Sequence, residues 1–124
     1  PPKGNGQAQS FDHTKLTSLT EGANTTIAIV ATDAILTKAE AQRMATAAHD
    51  GFARALVPSH LPLDGDLIFA AAMGRHKVPK GRLAFAEICH ASSLCVSRAI
   101  ARGVYHARSY TGDTSVTWQS INKK

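Results

Sequence analysis

Apolar and polar positions change texture sharply along this chain, and each change predicts an element. Residues 1–24 are rich in Gly, Ser, Thr and Asn, with isolated Phe11, Leu16 and Leu19. That is the composition of a linker, not of a packed element. At Thr25 the texture turns. Residues 26–32 are a short apolar run carrying Ile27, Ile29 and Val30, and its length and β-branched content predict a buried strand. Thr37 and Glu40 then form a capping box, a hydroxyl for the third helical amide and a carboxylate reaching back. The helix it opens has apolar residues at Ala41, Met44, Ala45, Ala48, Phe52, Ala55 and Leu56, a period of about 3.6. Pro58 forbids its continuation. Gly51 costs about 1 kcal/mol against Ala inside a helix, which predicts close packing or a bend there.

Residues 60–66 carry turn chemistry around Asp64, Gly65 and Asp66. Residues 67–73 read as a strand or a buried helical segment, and their length and the closing Gly74 favour strand. A polar turn with Pro79 leads to a second long helix, about residues 80–106, apolar round most of its circumference and so predicted to be buried on more than one side. The order strand, helix, strand, helix indicates an α/β unit. Three regions follow: a linker over 1–24, the α/β domain over 25–110, and a polar tail over 111–124. Two strands make a poor sheet and leave such an apolar helix little to pack against, so the chain reads as half of a larger structure.

Composition fits this picture. With 124 residues and 44% hydrophobic content there is material for one domain with a modest core. No uninterrupted apolar run approaches the roughly 18 residues that span a bilayer. The start, Pro1-Pro-Lys-Gly-Asn-Gly, has neither a signal-peptide core nor an initiator Met, which fits a piece of a longer chain. Cys89 and Cys95 would point about 240° apart on one helix, so they do not pair there. Buried thiols are expected, and with them a reducing, cytoplasmic location.

The net charge of +5 is concentrated in residues 75–108, where seven basic residues face the single acid Glu87. Such a stretch can bind phosphate or form a solvated or partner-facing helix surface. Only Tyr105 and Tyr110 lie near as stacking aromatics and no binding motif accompanies them, which favours the second reading and no nucleic-acid partner.

Three residues carry candidate chemistry. Thr25 stands where a flexible linker meets a buried strand, and an N-terminal Thr can use its own amine as the base that activates its hydroxyl. The competing reading is a strand-starting Thr with no chemical role. Asp64 and Asp66 offer paired carboxylates able to share a proton or orient an amine and a hydroxyl, or they belong to an ordinary Asp-rich turn. The six histidines show no zinc spacing, so neither metal nor cofactor is expected. His49 and His60 are candidates for a supporting layer.

These residues resemble a known family. The stretch Asn24-Thr-Thr-Ile-Ala-Ile-Val-Ala-Thr-Asp-Ala34 is similar to the start of the small subunit in the self-cleaving aminopeptidase and nylon-oligomer hydrolase family. So are Leu36-Thr-Lys-Ala-Glu-Ala-Gln-Arg43, Ala48-His-Asp-Gly-Phe-Ala-Arg-Ala55 and Leu63-Asp-Gly-Asp-Leu-Ile-Phe-Ala-Ala-Ala-Met-Gly74. The likeness runs from about residue 20 to 110.

The resemblance implies a cut between Asn24 and Thr25 that makes Thr25 both new N-terminus and nucleophile. Asp64 and Asp66 would be its acidic partners, where some aminopeptidase relatives have Ser and Glu. Asn-Thr at the cut and the Asp pair lean towards the nylon-oligomer branch, whose substrates are 6-aminohexanoate oligomers. The implied fold is a four-layer α-β-β-α sandwich shared with a large subunit from the same precursor, with heterodimers assembling further and a small amide as substrate. No membrane partner is implied. The competing expectations are a β-aminopeptidase, acyl transfer as in ornithine acetyltransferases, and a non-catalytic fragment of a larger assembly.

Overall fold

The computed structural model describes residues 25–62, 64–113 and 116–121. Strand β1 (Ile27–Ala34) leads through the helices α1 (Lys38–Ala48) and α2 (Asp50–Ala55) to strand β2 (Leu67–His76), then to α3 (Arg82–His106) and the short α4 (Trp118–Ile121). The chain is thus a small mixed α/β unit with two parallel strands, paired Ile27 with Leu67 through Thr32 with Ala72. The proposed linker over 1–24, including Asn24, lies outside the described residues.

Local signals place the first helix well. The Thr37 hydroxyl accepts from the Glu40 amide at 3.2 Å, and the Glu40 carboxylate accepts from the Thr37 amide at 2.8 Å. These two bonds complete the capping box. The Thr37 amide, and then the Thr37 hydroxyl donating at 2.8 Å, hold the Glu40 carboxyl below its ordinary range. Met44, Ala48 and Phe52 are buried with Val30, Ile68 and Val96 in one core, and Ala45 and Leu56 pack at its margin.

Gly51 fulfils both expectations made of it. The helix breaks at His49 into α1 and α2, and a Cβ at Gly51 would lie 2.5 Å from the Ser93 carbonyl oxygen and 2.7 Å from Val96 Cβ. The bare Cα lets α2 approach α3. Strand β2 runs beyond the expected stop at Gly74: the pairing shifts between Thr32 and Ala34, and Gly74 takes a φ of 68° there. The glycine absorbs a bulge, and pairing resumes with Ala34 opposite His76.

Two expectations are corrected. Helix α3 is buried along one face only, by Ser92, Ser93 and Val96, while Leu83, Val104 and Tyr105 are exposed. Its residues Leu83–His106 are long and apolar enough to cross a membrane by length and composition alone, and one stripe of the helix packs against the core. The cysteines are free but not buried: Cys89 is half-buried and Cys95 exposed, because their separation on the helix puts only Cys89 near the packed face.

The sheet is one-sided as well. Even-numbered positions of β1, notably Val30 and Ala34, turn into the core, whereas Ile27 and Ile29 are 67% and 68% exposed. The register sets Ile27 beside Leu67 and Ile29 beside Phe69. Leu67, Phe69 and Met73 are exposed too, so the face away from the helices is a continuous apolar surface.

Candidate nucleophile site

Parallel pairing brings the starts of the two strands side by side, and with them the residues that precede each strand. The Leu67 amide donates to the Thr26 carbonyl at 2.9 Å. The Thr26 amide donates to Asp66 Oδ1 at 3.0 Å. Main chain and side chain thereby tie the residue after Thr25 to the residue before β2.

Gly65 completes the contact. A Cβ built on it would stand 2.6 Å from Thr25 Oγ1, so the hydroxyl rests against a Cα that must stay bare. Gly65 is required here by close approach. Thr25 itself is exposed: its hydroxyl sits on a rigid strand start and remains accessible. The structure therefore sets Thr25 beside the turn before β2: its hydroxyl meets Gly65, and the amide of the next residue, Thr26, is held by Asp66. Asp64 lies on the same turn, half-buried, and its amide donates to the Leu61 carbonyl at 3.0 Å.

Behind the turn lies a layer that the pattern of residues had not assembled. The Asp66 side chain is only 1% exposed, and its Oδ2 is 3.6 Å from His60 Nδ1. His60 Nε2 is 3.3 Å from the His49 carbonyl oxygen. The His60 ring also lies 5.1 Å from that of His49 and 5.9 Å from that of Phe52. Burial first, and then the neighbouring His60, push His49 below the ordinary histidine value, with Asp66 and Asp50 opposing. His60 adopts a φ of 59°, uncommon for any residue but glycine. The sequence signal for this layer was weak: His49 lies in the helix pattern and His60 precedes the Asp turn, and only the fold brings them together.

Among the described residues, no group of three His, Cys, Asp or Glu side chains is arranged to hold a metal ion. The arrangement offers a strand-starting hydroxyl, a buried carboxylate held to the next amide, and an imidazole behind it. The family model described as Peptidase family S58 matches residues 3–117.

The chain belongs to peptidase family S58.

Similar family members include an uncharacterized aminopeptidase of Mycobacterium bovis, 40% identical over 99 residues that cover 72% of this chain and 29% of the relative. An uncharacterized aminopeptidase of Mycobacterium tuberculosis matches with the same figures, 40% identity over 72% of this chain and 29% of its own length. One of Mycobacterium leprae is 39% identical over 79% of this chain and 30% of its own length. The S58 chain described here thus spans less than a third of the curated relatives it matches.

Proposed function

We propose that this chain is the nucleophile-bearing part of a self-processing amide hydrolase, with Thr25 as the attacking residue. The observation that carries the proposal is the seat of Thr25 Oγ1 on Gly65, next to an Asp66 carboxylate that fixes the Thr26 amide. Family membership supports hydrolysis, and the names of the relatives support a peptidase or aminopeptidase.

In the precursor, the Thr25 hydroxyl attacks the Asn24 carbonyl carbon. The peptide C–N bond breaks, an ester forms on Oγ1, and the nitrogen becomes the free amine of Thr25. Water then opens the ester, leaving the Asn24 carboxylate and restoring the hydroxyl. The freed amine, with an ordinary pKa near 8, is the base for turnover. Thr25 attacks a substrate amide, the amine product departs, and water hydrolyses the acyl-enzyme. Asp64 and Asp66 orient the amine and the hydroxyl.

The apolar sheet face fits a second sheet contributed by the rest of the precursor, giving an α-β-β-α sandwich and a heterodimer. The Asp pair and Asn24-Thr25 favour oligomers of ω-amino acids such as 6-aminohexanoate as substrate. The names of the relatives favour a second reading, aminopeptidase action on β-amino-acid peptides.

Intact mass of the full-length gene product decides the first step. Wild type should split before Thr25, and Thr25→Ala should stay whole. A split Thr25→Ala protein would remove Thr25 as the cleaving group. Release of 6-aminohexanoate from its oligomers, compared with turnover of β-amino-acid peptides, separates the two substrate readings.

A further inference from the structure

We propose that His60 is a positioning residue of the nucleophile site, holding Asp66 by the carboxylate oxygen that Thr26 does not use. The inference rests on the amidase reading above and adds a residue to it. Each ring nitrogen faces one partner. A carbonyl oxygen only accepts, so the 3.3 Å contact to His49 requires a proton on His60 Nε2. In a neutral ring, Nδ1 would then turn a lone pair toward Asp66 Oδ2 at 3.6 Å. That contact is attractive only when a proton lies between the two atoms. A proton held between Nδ1 and Oδ2, whichever of the two carries it, therefore ties the ring to the carboxyl.

Two features make this a built arrangement. The His60 backbone sits at a φ of 59°, a conformation that persists where surrounding contacts enforce it and that recurs at functional sites. The ring is also packed against His49 and Phe52, with Phe52 fully buried in the core. His60 thereby links the α1–α2 junction to the Asp66 carboxylate, whose other oxygen takes the Thr26 amide. The titratable groups around the ring are His49 and Asp50 at the helix junction and Asp64 and Asp66 on the turn. Burial and the neighbouring His60 push His49 below the ordinary histidine value.

The test uses the processed full-length protein with 6-aminohexanoate dimer and a β-amino-acid amide as probes. His60→Ala should lower kcat up to about 100-fold with KM unchanged, the effect of a misplaced catalytic group. His60→Asn keeps a neutral donor toward Asp66 and tolerates the positive φ. It should recover most of kcat. Wild-type kcat in His60→Ala, or a His60→Asn variant no more active than His60→Ala, would overturn the role. An NMR titration of the wild-type protein serves if both variants misfold: the Thr26 amide shift should follow protonation of the His60 ring. A Thr26 amide indifferent to that titration also overturns it. Processing by Thr25→Ala, or a wild-type protein inert on both probes, counts instead against the amidase reading, and the Thr26 response still judges His60.

Discussion

Gly65 shows how little room there is at the proposed nucleophile. Its missing side chain is the space in which Thr25 Oγ1 sits, at 2.6 Å from where a Cβ would be. A heavy-atom contact that short is not tolerated, and the strand start is held toward β2 by both the amide and the carbonyl of Thr26. Gly65→Ala should therefore move the hydroxyl while leaving the core alone. Processing of the precursor should slow and kcat of any processed protein should fall by about 100-fold, with the melting temperature nearly unchanged. A Gly65→Ala protein that processes and turns over normally would show that the hydroxyl acts from another position. The glycine was legible as a turn residue between two aspartates. Its contact with Thr25 was not, because the two residues meet only when strands distant in sequence pair.

At the scale of elements, the helices follow their local signals closely. Thr37 and Glu40 start α1 as a capping box should, and the stripe of Met44, Ala48 and Phe52 faces the core. The break at His49 and the approach of α2 to α3 at Gly51 are one feature: a helix bent over a neighbour that comes too close for a side chain. Gly51→Ala sets two effects against each other. Helix propensity would gain about 1 kcal/mol, whereas a methyl pressed onto the Ser93 carbonyl and Val96 costs about 1–3 kcal/mol. The backbone carbonyl belongs to α3 and cannot swing away, so the clash should win. Denaturant unfolding should show Gly51→Ala less stable than wild type, and a stabilised variant would mean that α2 and α3 separate easily. Helix α3 was read as buried on more than one side from its composition, and in this chain only one stripe is covered. Apolar content reports what a helix can bury, not what is at hand to cover it.

For the molecule as a whole, the one-sided sheet is the dominant fact. Ile27 and Ile29 on β1 stand beside Leu67 and Phe69 on β2, all exposed, and a contiguous apolar surface of this kind marks an interaction face. The chain spans 29% to 30% of its curated relatives, so most of such a protein lies outside it and is the proposed cover. Charges introduced there, as in Ile29→Lys with Phe69→Glu, should disrupt docking of the two parts. After processing, the halves of the wild-type protein should co-elute in size-exclusion chromatography, and those of the double variant should separate or precipitate. Co-elution and activity unchanged by the two charges would show that this face is not the interface.

The sequence by itself determined the elements and their order: strand 26–32, the capped helix, the Asp-Gly-Asp turn, the second strand and the long helix. Those signals are carried by side-chain periodicity, a cap spanning four residues, and turn residues, all within a few positions of where they act. It also marked Thr25, Asp64 and Asp66 as residues to watch. Only the tertiary structure decided that Thr25 rests on Gly65, that Asp66 holds the Thr26 amide, and that His60 and His49 stand behind it. The reason is physical. The Thr25–Gly65 and Thr26–Asp66 contacts join residues 40 positions apart, and they exist because β1 and β2 pair in parallel with Ile27 opposite Leu67. Shifting that register by one residue would exchange the core and open faces of the sheet, so burial of Val30 and Ile68 sets the register, and the register assembles the site.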